Sequence, residues 1–119
     1  MLYFSDDWKK VEFNLYGEKI KAEVKPLTCD QMIAISPYFK FSGSQTEKSA
    51  EELLFGLQKA ALPFVGEFIR NVENIMVNDK PLQIEQLATE AFLAPLLTAL
   101  VSKAFGCALV DKESEKNLL

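Results

Sequence analysis

Between Val11 and Val24 apolar and polar residues alternate one for one. Val11, Phe13 and Leu15 share one side of an extended segment, with Glu12 and Asn14 on the other. Past Tyr16-Gly17-Glu18-Lys19, Ile20, Ala22 and Val24 alternate with Lys21, Glu23 and Lys25. A period of two is that of a half-buried strand, and two such runs around a glycine predict a β-hairpin over about residues 9–25. Gly17 supplies the unusual turn dihedral. A lone hairpin is not stable in water, so its apolar face must pack on helices or on another chain. Lys10, Lys21 and Lys25 fall on the wet side, where charge discourages aggregation. The hairpin edge is also where a second copy would pair, which leaves homo-oligomerisation open.

The pattern then turns helical. Lys25-Pro26-Leu27 ends the strand, and Thr28 with Gln31 has the spacing of a capping box. A helix is predicted over about 29–38, with Met32, Ile35 and Phe39 as its apolar stripe and Pro37 limiting it. Phe41-Ser42-Gly43-Ser44-Gln45 reads as a loop. Ser44 with Glu47, or Ser49 with Glu52, caps a second helix over about 46–70, striped by Leu53, Leu57, Ala60, Ala61, Phe64 and Phe68 and kinked or broken at Pro63. From Val72 to Ile84 the β-branched and Asn-rich sequence predicts a loop or short hairpin around Asn78-Asp79-Lys80. A third helix is predicted over about 84–109, kinked or divided at Pro95. Past Ala91 its apolar residues nearly encircle the axis, so it is either the central core helix or partly covered by another chain. The fold class is α+β, mainly α: a hairpin packed on three to four helices in one domain, residues 1–110, with a polar tail at 111–119.

Composition narrows the chemistry. The chain has 119 residues and no histidine, which removes Ser-His-Asp and Cys-His nucleophile activation and the common imidazole metal ligand. Cys29 and Cys107 are too few for a zinc site and read as buried thiols. The five glycines are scattered, so there is no phosphate loop. The adjacent acids Asp6-Asp7 and Glu51-Glu52 point different ways and form no proton-sharing pair. No catalytic, metal or cofactor site is expected, and the protein is read as a non-enzyme that binds other proteins. Net charge is −4 with a pI near 4.9. Up to Lys40 six lysines balance six acids; beyond it eleven acids face seven basic residues, among them the lone Arg70. Such a surface does not bind nucleic acid. No apolar run reaches the ~20 residues of a membrane span. The opening residues lack a basic segment followed by an apolar one, so a cytoplasmic location is expected.

Three pieces of the chain, in order, carry a family resemblance. They are the hairpin running into a capped helix (Gly17-Glu18-Lys19-Ile20 through Lys25-Pro26-Leu27-Thr28), the pair Asn71-Val72-Glu73-Asn74-Ile75 and Asn78-Asp79-Lys80-Pro81-Leu82, and the apolar C-terminal helix closing on Lys112-Glu113-Ser114-Glu115-Lys116-Asn117. Together they cover most of the chain and resemble the tail assembly chaperones of long-tailed bacteriophages and prophages. The resemblance implies a protein that binds the long, helical tape-measure protein and helps recruit tail-tube subunits during tail assembly. It also implies action in the host cytoplasm and absence from the mature virion. Many such chaperones are also made in a longer, frameshifted form. Glu115-Lys116-Asn117 can be encoded as GAA AAA AAC, whose A-AAA-AAC is a slippery heptamer, so Lys116 and Asn117 mark the expected slip; any other nucleotides there remove that expectation. Phe92, Leu96, Leu100 and Phe105 are the candidate partner face. Two other classes fit the composition: a small acidic phage-encoded inhibitor of a host protein, and a minor structural protein of the virion.

Overall fold

Strand β2 (Lys9–Leu15) and strand β3 (Glu18–Val24) form the expected hairpin, in unbroken register from Lys9↔Val24 to Leu15↔Glu18. Tyr16 and Gly17 make the turn with φ of 51° and 83°. Both central residues are left-handed, the conformation that matches the twist of the flanking strands. The computed structural model describes residues 1–39, 49–105, 107 and 109–110, the last two as backbone alone. A short strand β1 (Tyr3–Phe4) precedes the hairpin and pairs antiparallel with the last described strand.

Both bonds of the predicted capping box are made. Gln31 N–H donates to Thr28 Oγ1, and Thr28 N–H donates to Gln31 Oε1. Helix α1 (Cys29–Ile35) follows and tightens into a 3₁₀ turn, Ser36–Tyr38, at Pro37. Helix α2 (Ala50–Ala61) starts at Ser49, which accepts from Glu52 N–H. The competing cap at Ser44 lies outside the described residues. Pro63 sits in a 3₁₀ turn, Leu62–Phe64, that breaks the helix as expected, and a four-residue helix α3 (Val65–Phe68) resumes.

The predicted helix over 46–70 then needs correcting. Ile69 and Arg70 begin a strand, β4 (Ile69–Glu73), which joins β3 on the side away from β2. The free edge of β3 offers hydrogen bonds that outweigh two further helical residues, and Ile69 fills the core as a strand residue. A bulge between Lys21 and Glu23 admits Asn71 at φ 53°. Of the loop or short hairpin expected here, the chain forms the hairpin: strands β5 (Met76–Val77) and β6 (Lys80–Pro81) pair around Asn78-Asp79, both left-handed.

The predicted helix over 84–109 is also corrected. It is divided into helix α4 (Gln86–Thr89), a 3₁₀ turn (Ala91–Leu93) and helix α5 (Ala94–Ala104). The break falls at extended Glu90, and Pro95 lies in the first turn of α5, where a missing N–H costs nothing. Helix α5 ends at Ala104, with Phe105 as its extended cap. Leu109–Val110 is strand β7, paired with β1.

The core joins the inner face of the sheet (Ile20, Val24, Ile69) to α1 (Ile35), α2 (Leu57), α3 (Phe68) and the α4–α5 pair (Leu87, Leu97, Leu100, Val101), all essentially inaccessible to solvent. The α+β class holds, with a hairpin on several helices and a third strand completing its sheet. No helix among the described residues is long and apolar enough to cross a membrane.

Candidate functional site

The apolar stripe of α5 is wider than the core needs. Leu96, Leu97, Leu100, Val101 and Ala104 turn inward and are buried. Pro95, Thr98, Ala99 and Ser102 recur at helical spacing along a second stripe and face outward beside α2. Opposite them stand Ala50, Leu53 and Leu54 of α2, and Tyr38 and Phe39 close the end, forming a groove of about 540 Å³. The side chains that α5 contributes to it are small. It is also less polar than its sequence suggests, since Thr98 Oγ1 donates to Ala94 C=O of its own helix at 2.9 Å. Tyr38 reaches α2 where Gly56 lacks a side chain; a methyl group there would overlap the ring.

The four residues expected to form a partner face are not brought together. Leu96 and Leu100 are 2% and 0% exposed. They belong to the core, and no partner reaches them in this fold. The most hydrophobic side of the helix packs on α2, α4 and β3. Phe92 and Phe105 are exposed, at opposite ends of α5. The groove residues were legible only as a spacing of small side chains on the far side of the buried stripe, a signal that packing alone distinguishes from ordinary surface. Lys116 and Asn117 lie outside the described residues.

Among the described residues the buried polar side chains, Gln31 and Gln58, tie elements together. Gln58, buried on α2, donates from Nε2 to Leu87 C=O at 2.9 Å and to Glu90 C=O at 2.7 Å, tying α4 and its extended end to α2. Gln31 spends its Nε2 on Glu67 at 3.4 Å. Among the described residues no buried side-chain nitrogen or oxygen lacks a partner, and no three His, Cys, Asp or Glu side chains converge to hold a metal ion. Cys29 is exposed at the start of α1, correcting the expectation that both thiols are buried. Cys107 is half-buried, and desolvation pushes its thiol above the ordinary value.

A second concavity, of about 600 Å³, lies over the outer face of the sheet and is lined by Lys10, Glu12, Lys21, Glu23 and Glu73 with their neighbours. Its charges are largely answered within the fold. Lys21 pairs with Glu12 at 3.5 Å, and Arg70 pairs with Glu23 at 3.3 Å while stacking 4.2 Å over the Trp8 ring. A hydrogen bond from Asn71, with help from Arg70, holds the Glu23 carboxyl below the usual carboxylate value. The α2–α5 groove, apolar among the described residues, is the stronger candidate for binding. No protein-family model matches the chain, and no curated protein or solved structure is significantly similar to it.

Proposed function

We propose that this protein is a tail assembly chaperone of a long-tailed phage or prophage, a non-enzymatic binding protein that holds a helical segment of the tape-measure protein in the α2–α5 groove. The observation that carries this reading is the groove itself. It is apolar and bordered by two helices, and an amphipathic helix docks by laying its apolar face into such a surface. The small side chains of α5 let a partner backbone approach closely. The acidic excess of the chain keeps a protein with an open apolar groove soluble. The order of sequence elements that resembles the chaperone family supports the same reading, and with it recruitment of tail-tube subunits, work in the host cytoplasm and absence from the finished virion.

The test is a pull-down from an induced or infected host with this chain as bait, the captured proteins identified by mass. Recovery of the tape-measure protein is the expected result. Ala99→Glu, which sets a charge on the groove floor, is expected to weaken that capture by roughly tenfold or more with little change in thermal stability, because Ala99 is only half-buried. Recovery of a host enzyme with no tail protein, or of this chain from purified particles, overturns the proposal.

A further inference from the structure

β2 is an outer strand of its sheet, in the order β2–β3–β4. The two-residue turn makes Leu15↔Glu18 a hydrogen-bonded pair, and such pairs alternate with open ones along an antiparallel ladder. Lys9, Val11, Phe13 and Leu15 therefore spend their backbone groups on β3, and Lys10, Glu12 and Asn14 point theirs outward. Among the described residues these three have no backbone partner on that outer side. The strand runs seven residues without proline or bulge, the regular kind of edge on which another strand can add.

Charge selects that strand. On the outer face of the sheet the register sets Lys10 beside Glu23 and Glu12 beside Lys21. It continues with Arg70 beside Glu23 and Glu73 beside Lys21. The sign alternates along both rows, one reaching the edge as Lys10 and the other as Glu12. A second β2, antiparallel about a two-fold axis at Val11, sets its Glu12 opposite Lys10 and its Lys10 opposite Glu12. Each row then runs on into the other copy: Glu73, Lys21 and Glu12, followed by the second copy's Lys10, Glu23 and Arg70. We infer that two copies of this chain pair through β2 in this register, making one sheet of six strands, three from each copy.

Backbone geometry agrees with charge. Lys10 and the opposing Glu12 are both outward-pointing, so they exchange N–H···O=C bonds, while Val11 meets its own copy as the close, open pair on the axis. An axis at Glu12 or at Lys10 sets like charges face to face, which destabilises a pair. An axis at Phe13 sets Glu12 against Asn14 and ends the alternation. The pairing does not depend on what the α2–α5 groove binds.

The test is the mass of the full chain by light scattering at roughly 0.1 mM. A dimer is expected. Lys10→Glu alone sets acids against acids at both ends of the interface, and Glu12→Lys alone sets lysines against lysines; each is expected to weaken association by roughly tenfold or more. Mixing the two variants restores opposite charges at both positions and is expected to give a heterodimer. In a Cys29→Ser, Cys107→Ser background, Val11→Cys is expected to form an intermolecular disulfide on oxidation and Phe13→Cys is not. A monomeric wild type overturns the inference, as does a dimer that neither charge reversal weakens. So does failure of the two variants, both folded, to associate on mixing. If either variant unfolds, the cross-link decides alone, and absence of a Val11→Cys dimer overturns it.

Discussion

Tyr38 lies against α2 because position 56 carries no side chain. Alanine is the better helix former by about 1 kcal/mol, yet its methyl group would overlap the ring. Gly56→Ala is therefore expected to destabilise the protein by about 1–2 kcal/mol in urea denaturation. In a Tyr38→Ala background the same change is expected to stabilise it. A loss of stability in both backgrounds would mean that the ring is not the obstacle. Other single-residue features were legible in advance. Thr28 with Gln31 and Ser49 with Glu52 announced helix starts by their spacing, because a cap is a local bond that needs no tertiary partner. Asn71 was not legible as a bulge. Its left-handed backbone arises where β4 meets β3, and its side chain bonds Glu23, a residue far away in sequence.

Among elements, α4 is the one most dependent on its neighbours. It has only four residues and no side-chain cap, and Gln58 of α2 holds both its interior and its extended end. Gln58→Met keeps the shape but leaves two carbonyls short of a donor, so a loss of about 1–3 kcal/mol is expected. Amide hydrogen exchange should quicken in α4 before it does so in α5; equal protection of the two would show that Gln58 is not what holds α4. The hairpin was readable because a period of two persists from Val11 to Leu15 and again from Ile20 to Val24. β4 was misread because the helical stripe of Leu57, Phe64 and Phe68 runs up to its first residue, and nothing in that spacing marks where the helix stops. Whether Ile69 extends a helix or a sheet depends on β3 lying within reach, and spacing along one chain does not report that.

At the scale of the whole molecule, α5 divides core from surface. Leu100→Ala is expected to cost about 2–5 kcal/mol, the loss of a fully buried leucine together with the cavity left behind. Phe92→Ala, at an exposed ring, is expected to change stability by no more than about 0.5 kcal/mol. Thermal or urea unfolding of the two variants checks this, and similar losses would contradict the placement of α5. The sequence by itself determined the α+β class, the hairpin and its wet face and the capped start of α1; it narrowed the start of α2 to two caps and marked Pro63 as a kink or a break. It also placed a loop or short hairpin at Asn78-Asp79. Each of these follows from periodicity or from bonds between residues a few positions apart. Only the tertiary structure decided that β4 completes the sheet and that Glu90 rather than Pro95 divides the last helical region. It also decided that β7 returns to β1, and that Leu96 and Leu100 are core while Thr98 and Ala99 face an open groove. Those outcomes depend on which apolar surfaces meet, and a helix that is hydrophobic nearly all round does not record in its own sequence which side its neighbours will cover.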